Sequence, residues 1–270
     1  MKLSKEQRKK HQQAEVLLSK EELTFDDKVF VLNNWLPGEK NDIGKIASFF
    51  TPSNMAWDFC IETGIRQGSI IDLCAGIGML SFQMLRFTNM STKITCLELN
   101  EQFVEVGKKI IPEANWICGD VMDQDLIKSI GTFDYAISNP PFGNVKTGSS
   151  SNWLKYRGNE FEYKVIEIGS NLANYRGTFI LPQSSCPFRI SGTNYYKDGP
   201  AFRSKKYETF DKQSNLSLTP NNGFDLSIYQ NEWVGTNVLC EFAHCEYEEL
   251  RIQDITVETE TKFPIQGSLF

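Results

Sequence analysis

The sequence predicts an α/β fold built on a doubly wound, mostly parallel sheet that ends in an antiparallel β-hairpin. Three observations carry that prediction. Short β-like runs at 69–73, 93–97, 115–118, 135–138 and 178–181 alternate with helical stretches at 79–87, 101–111 and 160–173. Strands separated by helices of that length cross over to parallel neighbours and carry helices on both faces, a Rossmann-like arrangement. Near the end the pattern changes: 216–218 and 238–247 are strand-like, and Pro220-Asn221-Asn222-Gly223 is a run of turn residues between them.

Ahead of the first strand, residues 4–22 form a polar helical stretch. Ser4 and Gln7 have the spacing of a capping box, and charges of both signs follow. This helix is expected to be a solvated appendage. A loop follows Trp35-Leu36-Pro37-Gly38, and a second helix starts near Pro52 with apolar Met55, Ala56, Phe59, Cys60 and Ile61. The domain reading is an appendage over 1–23, a catalytic domain over 24–250 and a tail over 251–270. Target-contacting insertions are expected around 144–158 and 183–232.

Composition narrows the classes. The 270 residues suffice for one sizeable core, and 40% hydrophobic with 23% charged residues is an ordinary globular balance. No apolar run is long enough to cross a bilayer, and the basic N-terminus has no apolar stretch behind it, so no membrane role and a cytoplasmic location are expected. Seven scattered cysteines read as reduced core residues. Cys240, His244 and Cys245 are close together but lack a second pair of ligands, so no metal is expected. His11 and His244 are expected to play no catalytic part. The net charge of -6 argues against indiscriminate coating of nucleic acid. Locally, residues 186–215 carry six cations against three acids, enough for a phosphate-contacting patch.

The stretch Ser69-Ile-Ile-Asp-Leu-Cys-Ala-Gly-Ile-Gly-Met-Leu80 runs from a buried strand through a glycine turn into a helix. Gly76 and Gly78 allow backbone to approach a ligand at the strand's carboxyl end, where open α/β sheets bind. The third glycine of a dinucleotide fingerprint is missing, and Asp72 stands where it would repel a pyrophosphate but tolerate a cationic cofactor. Glu98 ends the next strand, placed to accept two ribose hydroxyls. Asp120, in Cys118-Gly-Asp-Val121, follows the third strand and is placed to receive an adenine amino group.

The order DLCAGIG, LEL, GDV resembles the class I S-adenosylmethionine-dependent methyltransferases, over roughly residues 48–247. The resemblance implies S-adenosylmethionine as cofactor, with Ala75, Gly76 and Gly78 at its methionine part, Glu98 at the ribose, and Asp120 and Val121 at the adenine. Phe49-Phe50-Thr51-Pro52 is similar to the segment that closes over the methionine end in bacterial amino-methyltransferases. It adds Thr51 and Pro52 to the expected cofactor set beside Asp72 and Asn139.

Phe133-Asp-Tyr-Ala-Ile-Ser-Asn-Pro-Pro-Phe-Gly143 ends the fourth strand in Asn139-Pro140-Pro141-Phe142. An exocyclic base amine is a poor nucleophile because its lone pair is delocalised. An amide oxygen on Asn139 and the Pro140 carbonyl can hold its two hydrogens, the prolines fix that carbonyl, and Phe142 can stack on the ring. This motif resembles that of adenine-N6, guanine-N2 and glutamine methyltransferases, and phenylalanine followed by glycine is most similar to the adenine enzymes. The expected substrate is adenine N6 in nucleic acid, DNA favoured over RNA, with a partner subunit as a further source of specificity. Two other classes stay open: glutamine methylation of a protein, and a non-catalytic cofactor-binding subunit.

Overall fold

The computed structural model describes residues 4–36, 50–233 and 237–247. The expected loop after Trp35, Phe49 and the C-terminal tail at 251–270 lie outside the described residues. Along the chain come helices α1 (Lys5–Leu18), α2 (Phe25–Asn34) and α3 (Ser53–Thr63), then strand β1 (Gly68–Leu73) and α4 (Met79–Phe87). They continue with β2 (Thr92–Glu98), α5 (Glu101–Ile110), β3 (Asn115–Cys118), α6 (Gln124–Ser129) and β4 (Phe133–Ser138). The last are α7 (Phe161–Leu172), β5 (Ala173–Pro182), α8 (Lys205–Ser214), β6 (Thr219–Pro220) and β7 (Cys240–Glu246).

The strands form one sheet in the order β3-β2-β1-β4-β5-β7-β6. The first five are parallel, while β7 enters antiparallel between β5 and β6. This is the predicted doubly wound sheet with antiparallel strands at its end. The order reverses between β1 and β4, which opens a crevice at their carboxyl ends.

Alternate strand residues feed two cores, one on each face. Ile70, Ile94, Cys96, Ile137, Ile180 and Phe242 pack with α1 to α5. Ile71, Leu97, Ala136, Phe179, Leu181 and Ala243 pack with α6, α7 and α8. Among the described residues no helix is long and apolar enough to cross a membrane.

Two expectations need correction. The predicted strand at 216–218 is absent: Leu216 N donates to Ser214 Oγ at 3.2 Å and Leu218 N to the Tyr207 hydroxyl at 3.1 Å, so α8 side chains take those amides. Pairing starts only at Thr219, and β6 is two residues long because Pro220 has no N–H to extend it. The N-terminal helix has the predicted Ser4–Gln7 capping box, but it is no detached appendage. Its Ala14 is fully buried, His11 Nδ1 accepts from Leu36 N at 3.2 Å, and Glu15 accepts from the Trp35 indole. Lys109 on α5 clamps it further, donating to the carbonyls of Leu18 at 2.5 Å and Lys20 at 3.0 Å.

Candidate active site

The turn after β1 is made by left-handed backbone. Cys74 (φ 59°), Gly76 (φ 59°) and Gly78 (φ 91°) alternate with Ala75 and Ile77, which are not in the positive-φ region. Cys74 carries a side chain in that region, a strained conformation of the kind concentrated at ligand sites. The turn delivers Gly76 N to Glu98 Oε2 at 2.9 Å, and Asn100 N reaches Glu98 Oε1 at 2.9 Å. Glu98 is thus clamped between the β1 and β2 turns. Each oxygen still has a lone pair for a hydroxyl. Burial pushes its carboxyl above the ordinary range, against those amide bonds.

Asp72 is 1% exposed. Its Oδ2 accepts from Ser81 Oγ at 2.6 Å, while Oδ1 has no hydrogen-bond partner among the described residues. Burial, with the nearby Glu98 charge adding to it, pushes this carboxyl up to about 7. A buried acceptor without a donor wants a charged or hydrogen-bonding ligand.

Asp120 follows β3. Its Oδ1 accepts from Met122 N at 2.9 Å, closing its own turn, and its Oδ2 accepts from Ser149 N at 2.9 Å. The Gly/Ser-rich segment after the Asn139–Phe142 turn is therefore docked across the end of β3. The Trp153 indole fastens its far end by donating to Met122 O at 2.8 Å.

At the end of β4, Asn139 Nδ2 donates to Thr51 Oγ1 at 2.9 Å, so the buried Thr51 orients the amide. The following turn is held from α7. Phe161 N donates to Gly143 O at 2.8 Å, and Gly143 N donates to Glu162 Oε2 at 2.7 Å. The other oxygen of Glu162 accepts from Ser185 Oγ at 2.8 Å. Glu162 is 2% exposed. One buried carboxylate thereby ties the Asn139–Phe142 turn to the segment leaving β5.

These parts surround a cavity of about 310 Å³, within the range of small-molecule sites. On its wall are Thr51, Asp72, Ala75, Gly76, Glu98, Asp120, Val121 and the whole Asn139-Pro140-Pro141-Phe142 turn. Two expected cofactor residues stand behind it. Pro52 caps α3. Gly78 is a packing glycine, since a Cβ there would lie 2.7 Å from Ile111 Cδ1 and 3.1 Å from the Trp116 ring.

Residues 59–153 match the family model of the methyltransferase small domain. Its cofactor is S-adenosylmethionine. No curated protein sequence matches the chain. Among solved structures, the M protein of the type I restriction enzyme EcoKI has a TM-score of 0.52 at 10% identity, covering 90% of this chain and 54% of that one. The methyltransferase subunit of a type I restriction-modification system from Streptococcus thermophilus scores 0.50 at 15% identity, covering 73% and 44%. A candidate RNA methyltransferase from Pyrococcus horikoshii scores 0.48 at 16% identity, covering 83% and 97%. The chain spans about half the length of the two restriction-system proteins.

The residues on the cavity wall fit S-adenosylmethionine. Asp72 has a carboxylate oxygen that no donor among the described residues meets, a group suited to a cationic ligand, and burial with the Glu98 charge raises its proton affinity. The cradle over Gly76 is filled to the limit, because a Cβ there would lie 3.3 Å from the Phe50 ring. Phe50 is held by Phe103 at 5.5 Å and Trp35 at 6.2 Å between ring centroids. Both Phe50 and Phe103 are on the cavity wall, and Phe103, like Glu162, is a residue that the sequence reading did not single out. The signal for Phe103 was its place one turn into the helix after Glu98, facing back to the sheet. Nothing local marks Glu162, whose partners are 19 and 23 residues away.

Proposed function

We propose that the chain transfers a methyl group from S-adenosylmethionine to the exocyclic N6 amine of adenine in DNA. The observation that carries this reading is that the Asn139-Pro140-Pro141-Phe142 turn opens on the same cavity as Gly76 and Glu98. When bound, the cofactor supplies an electrophilic methyl carbon on a sulfonium.

The chain's residues do the rest. Asn139 Oδ1 and the Pro140 carbonyl accept the two hydrogens of the amine and turn its lone pair toward the methyl group. As positive charge develops on nitrogen, the same two acceptors stabilise it without moving, because prolines and Thr51 hold them. Phe142 stacks on the target ring, which has left its helix or comes from an unpaired strand. Asp72 takes the cofactor's ammonium, Glu98 the ribose, and Asp120 with Val121 the adenine. Ala75, Gly76 and Thr51 close around the methionine end, with Pro52 behind Thr51 at the start of α3. Phe142 in place of tyrosine favours adenine over glutamine as target.

In this reading residues 24–250 are the catalytic domain, between N-terminal and C-terminal extensions at 1–23 and 251–270. Insertions around 144–158 and 183–232 contact the target, and a partner subunit adds sequence specificity. All seven cysteines are free thiols, which supports the cytoplasm as its location.

The test is transfer of a labelled methyl group from S-adenosylmethionine to duplex DNA, single-stranded DNA, ribosomal RNA and protein extract in parallel, followed by nucleoside analysis. N6-methyldeoxyadenosine is the expected product. N6-methyladenosine in RNA alone overturns the choice of DNA, and label in protein alone overturns the nucleic-acid substrate.

A further inference from the structure

The segment that leaves β5 forms an arm whose construction the catalytic turn does not explain. Arg189 and Lys197 exchange backbone hydrogen bonds, Arg189 N to Lys197 O at 2.7 Å and Lys197 N to Arg189 O at 3.0 Å, closing a hairpin. Its base is fixed to Glu241 on β7, which is fully buried. Glu241 Oε1 accepts from Ile190 N at 2.9 Å and Gln183 Nε2 at 2.8 Å, and Oε2 from Ser191 Oγ at 2.8 Å. Gly192 N adds a bond to Asp225 Oδ1 at 2.9 Å, and Thr193 Oγ1 ties the tip together by donating to Tyr195 O at 2.7 Å. A buried carboxylate is tolerated only with such a set of donors. Here that set holds a hairpin still.

At the tip of this rigid arm Tyr195 is 78% exposed and Tyr196 52% exposed. Residues 189–205 contain four cations, Arg189, Lys197, Arg203 and Lys205, against one acid, Asp198, whose carboxylate accepts from the Tyr196 hydroxyl at 3.1 Å. Lys197, Arg203 and Lys205 are exposed, with no ion pair among the described residues. The arm leaves the carboxyl end of β5, next to β4 whose carboxyl end bears Asn139. Ser185 at its root shares Glu162 with the catalytic turn.

We infer that Tyr195 and Tyr196, with Lys197 and Lys205, form a docking surface for an unpaired DNA strand, whose bases stack on the rings while the lysines meet its phosphates. The inference rests on the nucleic-acid reading above and names the surface that reading requires. Rings presented on a fixed hairpin lose little conformational freedom on contact, and base stacking tolerates any sequence. The cations complement a polyanion although the whole chain is acidic.

The test measures, by fluorescence anisotropy, the affinity of the full chain for a single-stranded deoxyoligonucleotide of about 16 nucleotides, and in parallel its affinity for S-adenosylmethionine. Tyr195→Ala with Tyr196→Ala is expected to weaken oligonucleotide binding by at least about 10-fold, with cofactor affinity and thermal midpoint unchanged because both rings are exposed. Tyr195→Phe with Tyr196→Phe is expected to bind like the parent chain. Lys197→Gln with Lys205→Gln is expected to flatten the salt dependence of binding by about one to two in slope. Undiminished binding by the alanine variant overturns the proposal, as does an equal loss in the phenylalanine variant or binding confined to RNA. If the parent chain methylates DNA and the alanine variant binds it normally, only the docking surface falls. If the parent chain labels protein alone and binds no oligonucleotide, the nucleic-acid reading falls as well.

Discussion

With Asp72 at the cofactor's ammonium, as proposed, the cofactor site is expected to be pH-dependent, and the direction follows from its surroundings. Its carboxyl, ordinarily near 3.8, is pushed up to about 7 by burial and by the charge on Glu98. The difference corresponds to about 4 kcal/mol. Below about pH 4 the folded and unfolded chains both hold the proton, and the group does not affect stability. Between about 4 and 7 the folded chain keeps a proton that the unfolded chain has lost, so the ligand-free protein loses stability as pH rises, at about 1.4 kcal/mol per pH unit. Above about 7 the loss levels off. On the proposed function the cofactor's ammonium reverses the preference, because it would bind the carboxylate and not the acid. Affinity for S-adenosylmethionine therefore falls toward tenfold per pH unit as pH drops below about 7. The substitution Asp72→Asn keeps an acceptor for Ser81 Oγ but removes the titration. At pH 8 it should stabilise the ligand-free protein by at most about 4 kcal/mol while weakening the cofactor. Calorimetric titration at pH 6 in two buffers of different ionisation heat counts the protons released on binding, and the parent chain should release about one more than Asp72→Asn. Glu98 is present in both proteins, so its contribution cancels. Equal proton release, or a parent affinity that does not change with pH, refutes the reasoning.

Three further substitutions address the frame. Glu162→Ala leaves Gly143 N and Ser185 Oγ without acceptors, at about 1–3 kcal/mol each; by freeing the catalytic turn it should lower kcat on the order of 100-fold. Cofactor affinity should hold, and Glu162→Gln, which retains one acceptor oxygen, should recover much of kcat; wild-type single-turnover rates in the alanine variant would remove Glu162 from its positioning role. Gly78→Ala forces a side chain into left-handed backbone against Ile111 and should destabilise the protein by about 1–3 kcal/mol in denaturant unfolding. Asn139→Ala should abolish methyl transfer while leaving cofactor affinity near that of the parent, and retained turnover would show that the amine is held elsewhere.

The parallel sheet and the wall of the cavity were legible because their determinants are local. A buried strand, a glycine turn and an acid at the next strand's end lie within one crossover of each other, so Gly76 and Glu98 could be paired from spacing alone. The Asn139-Pro-Pro-Phe turn carries its own backbone restraint. What escaped is held by partners far along the chain. Glu162 looks like any acid in the first turn of a helix until Gly143 and Ser185 are seen against it, and Glu241 looks like a solvated strand residue until its donors fold over it. Helix α2 was missed although Thr24 with Asp27 caps it, because its apolar residues bunch at Val29, Phe30, Val31 and Leu32 instead of recurring at helical spacing. Strand pairing at 216–218 was misjudged because apolar residues there face a core without joining a ladder.

Lys109 has a consequence for the order in which the molecule is assembled. Its amine holds a carbonyl 91 residues earlier in the chain, so α1 and α2 leave the ribosome long before the surface that retains them exists. At ordinary rates of synthesis that interval is on the order of 5–20 s. Trp35 waits a shorter interval for Phe103, and until then Phe50 lacks one of its two ring partners. Phe50 is on the cavity wall, so that part of the wall depends on the contacts among Trp35, Phe50 and Phe103.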